Sequence, residues 1–290
     1  MKLLVFDGSN VMKRAFFAVP PLTTSTGFHT NAIKGTINIL VSLILKHEPT
    51  HIAFVMDRKY PTHRHKIYKE YKGTREKDEE QDSRFIPQRK PMYDLITAMG
   101  IKVVHKKGYE ADDLIGTLTR TMVDLGGEVE IVSNDKDFAQ LLCKQVRIHK
   151  YQSHDKTYLE INHKNCEQLY GAKPNRIVDM MIMQGDKIDN IPGVDGIGPA
   201  AIKKLLATCK RIEDADTSVL NKTQQANFEA ARDRFRLVRR LVTIHTSIIP
   251  YNIEKLIPTK PDEKRIRAIC KALEAAAIRE TVFRYVRYLN

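Results

Sequence analysis

The sequence predicts an α/β chain: a mostly parallel central sheet flanked by helices, followed by a C-terminal helical region. Three observations predict it. Short apolar runs recur through the first half, most of them followed by an acidic residue. Stretches with apolar residues at helical spacing separate these runs, and strands alternating with helices imply parallel pairing. Beyond about residue 150 the strand signal fades and the pattern becomes helical.

Taken in order, "KLLVF" (2–6) is a buried strand ending at Asp7. Residues 31–46 place Ile33, Ile37, Leu40, Val41, Ile44 and Leu45 on one helical period. "HIAFVM" (51–56) is a second strand, ending at Asp57. "PMYDLITAMG" is a helix stopped by Gly100, and "IKVVH" (101–105) a third strand. "ADDLIGTLTRTMVDLGG" is a helix with acids in its first turn and glycines at its end. "EVEIVS" (128–133) is a fourth strand, followed by Asp135 and Asp137. "KTYLEI" is one more strand or a hairpin arm. Residues 221–245 predict one long basic amphipathic helix, and the tail two short ones. The division is a core over 1–183 and a helical region over 184–290.

The chain has 290 residues, 42% of them hydrophobic, enough for a full core and too many for global disorder. No apolar stretch reaches the length of a membrane span, and the N-terminus meets an aspartate too early for a signal peptide. Cys143, Cys166, Cys209 and Cys270 are widely spaced, as in a reduced, cytoplasmic protein. The ten histidines are scattered. The tightest group, His63 to His65, lacks the further ligands of a zinc site.

The formal net charge of +13 suggests a polyanionic partner. Residues 58–90 concentrate the charge, with eleven bases against six acids and Tyr60, Tyr68 and Tyr71 interleaved. A solvated insertion would read the same way, but this one is long for an idle connection inside a compact domain.

Asp7, Asp57 and Asp135 each follow a strand, and Glu110 follows another after a few residues. In open α/β sheets ligands bind at the carboxyl ends of the strands. One such acid is often only a helix cap; four strand ends delivering acids to one edge are harder to dismiss. Asp112 and Asp113 adjoin Glu110, and the three converge only if Glu110 precedes the helix. Asp137 points with Asp135 if the backbone there is extended. Asp186 and Asp189 share a face if helical. Nine carboxylates cannot share a pocket without cations, and an oxygen-only set favours Mg²⁺ or Mn²⁺. Two ions roughly 3.5–4 Å apart suit in-line phosphoryl displacement. Setting the nine aside from 35 acids leaves 26 against 48 bases, a strongly polyanion-seeking surface.

"IPGVDGIGPAAIKKLL" has the pattern of a helix–hairpin–helix. Gly193, Gly196 and Gly198 would let backbone N–H groups approach a phosphate, the following helix start adds a favourable dipole, and Lys203 and Lys204 add charge. Such a device grips backbone rather than base edges. The plain alternative is a glycine turn between packed helices.

With these pieces in place the sequence resembles the 5′ nucleases: bacteriophage 5′ nucleases, flap endonucleases and the 5′→3′ exonuclease domain of bacterial DNA polymerase I. The resemblance rests on "LLVFDGSN", "FVMD", "YKGTRE", "GYEADDLIGTL", "SNDKDFAQLL" and "GDKIDNIPGVDGIGPAA", in family order from residue 3 to about 206. It implies two-metal hydrolysis of phosphodiesters near a free 5′ end, in DNA replication and repair. By motif, Asp7, Asp57, Glu110, Asp112, Asp135 and Asp137 would serve the first metal. Asp113, Asp186 and Asp189 would serve the second, with some sharing. The segment at about 58–90 would be the family's helical arch, with Lys72 and Arg75 meeting the scissile phosphate and Tyr71 beside them as a nucleic-acid contact. Arg14 resembles a further phosphate contact, and the hairpin implies duplex gripping with a bound K⁺. The implied substrates are branched or 5′-flapped duplex DNA, with RNA–DNA hybrids as a second class.

Three rivals remain open at this level. A non-enzymatic DNA-binding protein explains the charge and the hairpin but not the nine acids. A small-molecule phosphatase would need an acid pair after the first strand, where this chain has "DGSN". A small α/β ribonuclease would lack the glycine hairpin.

Overall fold

The computed structural model describes every residue except Lys59, Tyr60, Lys77, Ile249 and Asn290. Two bases and one tyrosine of the 58–90 segment therefore lie outside the described residues.

Six strands form one sheet: β1 (Lys2–Asp7), β2 (His51–Val55), β3 (Lys102–Val104), β4 (Glu128–Val132), β5 (Val146–Gln152) and β6 (Thr157–Ile161). Their order is β3-β2-β1-β4-β5-β6. The first five run parallel, and β6 returns antiparallel to β5. "KTYLEI" is thus a hairpin arm. Its partner β5 gave no separate signal in the sequence, because "VRIHKYQ" alternates charge with apolar residues like a surface loop. The order of the strands reverses between β1 and β4, the kind of switch point at which α/β sheets open a crevice.

The helices are α1 (Gly8–Ala18), α2 (Asn31–His47), α3 (His63–Ile67), α4 (Glu79–Phe85), α5 (Arg89–Ala98), α6 (Ala111–Asp124), α7 (Cys166–Tyr170), α8 (Ile177–Gln184), α9 (Pro199–Thr208), α10 (Lys222–Ala231), α11 (Phe235–Val242), α12 (Glu263–Ala272) and α13 (Ala276–Leu289). Alternate strand residues feed two cores, as period-two side chains require. Leu3, Val5, Val129 and Ile131 pack with α6, α8 and α11. Leu4, Phe6, Phe54 and Val132 pack with α2, α5, α12 and α13.

Two expectations are corrected. The helix foreseen over 221–245 is two, because a 3₁₀ turn at Arg232–Arg234 redirects the chain so that both Phe228 and Phe235 are buried. The tail grouped with the helical region folds back: α12 packs on α5, and α13 on α2. The 58–90 segment, expected as a helical arch, carries two short helices, α3 and α4, with turns over residues 69–74 between them.

Candidate active site

Loops at the carboxyl edge of the sheet enclose a cavity of about 790 Å³. Eight of the nine carboxylates line it: Asp7, Asp57, Glu110, Asp112, Asp135, Asp137, Asp186 and Asp189. Each is placed by a local device. Asp7 ends β1 and caps α1, its Oδ1 accepting from the Asn10 N–H at 3.1 Å. Its other oxygen accepts from the Ser133 hydroxyl at 2.7 Å. Asp57 Oδ1 accepts from the Ala111 N–H at 2.8 Å, tying β2 to the start of α6. Glu110 stands just before α6 in extended backbone, as convergence required. Asp135 caps a 3₁₀ turn that begins at Lys136, accepting from the Asp137 N–H at 2.9 Å. Asp137 therefore reaches the cavity from a turn, not from extended chain. Asp186 and Asp189 are not helical either. Asp186 Oδ1 accepts from the N–H groups of Ile188 and Asp189, which closes a tight loop.

Asp113 is the exception. It is fully buried and turned away from the cavity by helical geometry. Arg64 Nη1 and Nη2 reach its two oxygens at 2.7 and 2.9 Å. The same guanidinium donates to the carbonyls of Leu241 and Thr243. Burial alone would raise the Asp113 carboxyl, but Arg64 outweighs it and holds the group below its usual range. Asp113 is a structural anchor, and Arg64, counted in the sequence among the arch bases, is buried.

The cavity carboxylates repel one another in a desolvated site. Burial first, then the charges of Asp57 and Asp135, pushes Asp7 up to about 7, against hydrogen bonds from Ser133 and Asn10. Burial and Asp135 push Asp137 to about 8. Asp112 and Asp135 are raised by burial and by neighbouring carboxylates, Asp135 against the Asp137 N–H. Asp137 Oδ1 is buried without a hydrogen-bond partner among the described residues. An orphaned oxygen among crowded carboxylates is what a hard divalent cation satisfies, so the residues present fit Mg²⁺ or Mn²⁺.

Lys72, Arg75 and Tyr71 of the 58–90 segment meet this acid set, beside Arg64 and Thr62, which reach Glu110 at 3.5 and 3.4 Å. Lys72 Nζ lies 2.9 Å from Glu110 Oε1 and 3.7 Å from Asp189 Oδ2. Arg75 Nη2 lies 2.5 Å from Asp189 Oδ1. Lys72 takes a left-handed backbone, φ 57°, and its N–H donates to the Asp189 carbonyl at 2.9 Å. Tyr71 is 3% exposed, so its ring has no face free for a base. Its hydroxyl instead meets Glu110 and Asp189, each at 3.0 Å. The nucleic-acid contact expected of Tyr71 is corrected to a bridge between two acids.

Arg14 sits close to the rim, with its guanidinium over the rings of Tyr151 and Tyr158 at 4.7 and 5.4 Å. It also donates to Tyr158 Oη at 2.7 Å. Lys13, Lys136 and Lys150, none of them singled out by motif, line the cavity as well.

The hairpin joins α8 to α9. Gly193 is a packing glycine: a Cβ there would collide with the Gln184 carbonyl. Gly196 has φ 72°, and its carbonyl accepts from Gln224 of α10. Gly198 differs from both. It caps α9 with φ −84°, and a Cβ there would meet nothing within 4 Å. Neither conformation nor packing requires glycine at 198. Lys203 and Lys204 are exposed on α9.

With this geometry in view, the similarity to known proteins is specific. Residues 2–171 match the family model for the 5′-3′ exonuclease N-terminal, resolvase-like domain, and residues 172–264 match that for the 5′-3′ exonuclease C-terminal SAM fold. The chain belongs to the 5′-3′ exonuclease family. That places it among the nucleases, hydrolases of phosphodiester bonds. A 5′-3′ exonuclease of Aquifex aeolicus is 32% identical over 286 residues, covering 98% of this chain and 96% of the relative. The DNA polymerase I of Caldicellulosiruptor bescii is 33% identical over 284 residues, 96% of this chain. The chain spans about a third of that polymerase's length. Among solved structures, a bacteriophage T5 D15 flap endonuclease in complex with DNA and metal ions has TM-score 0.71 at 17% identity, over 99% of this chain and 100% of that one. The catalytic core of Rad2 with DNA substrate has TM-score 0.61 at 17% identity, over 98% and 92%. The fold is therefore shared with nucleases solved with divalent metal ions or with DNA. Among the described residues no helix is long and apolar enough to cross a membrane.

Proposed function

We propose that this chain is a structure-specific 5′ nuclease, acting as 5′→3′ exonuclease and flap endonuclease on branched or 5′-flapped duplex DNA. RNA–DNA hybrids are the second substrate class, and the setting is the cytoplasm of a bacterial cell or phage-infected host. The observation that carries the reading is the convergence of eight carboxylates in one cavity with Lys72 and Arg75 held against them.

Two Mg²⁺ ions, with Mn²⁺ able to substitute, fit this cavity. Asp7, Asp57, Glu110, Asp112, Asp135 and Asp137 would hold the first, and Asp186 and Asp189 the second. Such a pair supplies Lewis-acid stabilisation of an in-line phosphoryl displacement. The protein's own part is positional. Without substrate, Lys72 and Arg75 are paired to Glu110 and Asp189, which keeps two cations at the mouth of the cavity for an incoming phosphate. Arg14, oriented by Tyr158, presents a planar donor fork suited to a second phosphate. The open approach at Gly198, with Lys203 and Lys204 close by, grips duplex backbone, and a K⁺ ion belongs to that hairpin.

A non-enzymatic DNA-binding protein on this fold would leave the acid cavity without a use. Cleavage of an end-labelled 5′-flapped duplex, with Mg²⁺ and with chelator, tests the reading. Metal-dependent release of the flap supports it; binding without cleavage in Mg²⁺ overturns it.

A further inference from the structure

We propose that His47, Glu130 and His149 form a second metal site, for a borderline cation of the zinc class, on the sheet face that packs against α2.

Three distant segments deliver the ligands. His47 is the last residue of α2, Glu130 lies in β4 and His149 in β5. Glu130 shares its face of β4 with Val132, so both point into the core beneath α2, and His149 pairs with Val132 in register. Glu130 Oε2 is 2.6 Å from His47 Nδ1 and 3.0 Å from His149 Nε2. All three ligand atoms fall within 4.8 Å of one another, and the two imidazole rings are 4.4 Å apart.

The site is costly as plain core. Glu130 and His149 are each 5% exposed, beside Leu4, Phe6 and Val132. Burying a carboxylate there needs strong compensation. His47 Nε2 is also buried, with no partner among the described residues. Two imidazoles and one carboxylate are the three protein ligands of an open tetrahedral zinc site. Bonds of about 2.0–2.2 Å in that geometry set ligand atoms a little over 3 Å apart. Meeting that opens the 2.6 Å Glu130–His47 contact and draws together pairs that lie within 4.8 Å, shifts of about 1 Å. The ligand set differs from the oxygen-only cavity, so the two sites select different ions. Lys2 Nζ is 3.9 Å from the other oxygen, Glu130 Oε1, and donates to the His47 carbonyl, which leaves Oε2 to the imidazoles. The partly exposed side chains of His47 and Lys2 mark the way in. A cation here would pin the end of α2 to β4 and β5, a structural role remote from the acid cavity.

The test uses the metal-stripped 290-residue chain titrated with Zn²⁺, and with Co²⁺ read by its visible bands, beside a His47→Gln/His149→Gln variant. Zinc also has access to the acid cavity, so the difference between proteins is the readout. The parent should bind one equivalent more than the variant, gain a Co²⁺ band of four-coordinate type, and melt higher with Zn²⁺. A single His149→Gln change should weaken that equivalent at least ~100-fold, since disturbing even the hydrogen-bond partners of metal ligands costs about 10- to 100-fold. Equal stoichiometry and equal melting response in parent and variant would overturn the proposal and leave a hydrogen-bonded triad. Should the variant fail to fold, imidazole ¹⁵N resonances of the parent decide. Zn²⁺-induced shifts at both His47 and His149 support the site, and their absence overturns it.

Discussion

Arg64 and Asp113 form a two-pronged ion pair, 2.7 and 2.9 Å, with both side chains buried. It joins the short helix of the basic segment to α6 and, through two carbonyls, to the end of α11. Asp113→Asn takes from a buried guanidinium its closer counter-charge and leaves only Glu110 at 3.5 Å, a change worth up to about 3–5 kcal/mol. The urea midpoint should fall accordingly, while Mg²⁺ titration of whatever protein remains folded should change little. A stable Asp113→Asn protein with lost metal affinity would return Asp113 to the ligand set.

Lys72 touches Glu110 and lies close to Asp189, at the mouth of the cavity. Lys72→Ala should slow single-turnover cleavage by about 100-fold, the usual scale for removing one donor aimed at developing charge. Duplex affinity should fall much less. Loss confined to affinity would make Lys72 an ordinary surface base.

Gly193 and Gly198 should part company. Gly193→Ala drives a methyl into the Gln184 carbonyl and should cost stability, by roughly 1–3 kcal/mol. Gly198→Asp meets open space and supplies a preferred cap for α9, so its melting point should hold or rise. Its added charge should weaken binding of flapped duplex of any sequence by tenfold or more, and a short single strand less. A well-folded Gly198→Asp protein with parental duplex affinity would reduce the hairpin to a packing turn.

The acid cavity fixes a pH response. Asp7 and Asp137, raised to about 7 and about 8, hold protons in the metal-free folded state that the unfolded chain has already released. Stability contributed by these protons is complete near the ordinary carboxylate range and is lost as pH rises through 7 and 8. In chelator, the unfolding free energy from urea titration should therefore fall between about pH 5 and about pH 8, by on the order of a few kcal/mol. Saturating Mg²⁺ should flatten or reverse the slope, because cations favour the deprotonated carboxylates. A midpoint that rises with pH in chelator would contradict the crowded-carboxylate account.

Much of this was legible in the sequence because strand ends and acids coincide there. Asp7, Asp57 and Asp135 follow apolar runs directly, and parallel order brings those ends to one edge. What was hidden depends on long-range contacts. Arg64 reads as one more base among eleven until α11 supplies carbonyls to bury it. Tyr71 reads as a nucleic-acid contact until the Asp189 loop closes over it. Asp113 and Asp112 are neighbours in the chain, yet the rotation of about 100° between successive helix residues sends them to different partners. β5 was missed because its outward residues are charged or polar. His47, Glu130 and His149, 102 residues from first to last, meet only through the order of the strands.

If the carboxylate cavity holds catalytic metal, removing two of its carboxylates abolishes cleavage. Single-turnover cleavage of an end-labelled 5′-flapped duplex by the Asp135→Asn/Asp137→Asn protein in saturating Mg²⁺ tests it most directly, with affinity measured in parallel. The cleavage rate should fall by at least ~1,000-fold, about 4 kcal/mol of transition-state stabilisation, while the flap is bound as tightly as by the parent or more so. Parental turnover by that folded double variant would contradict the account.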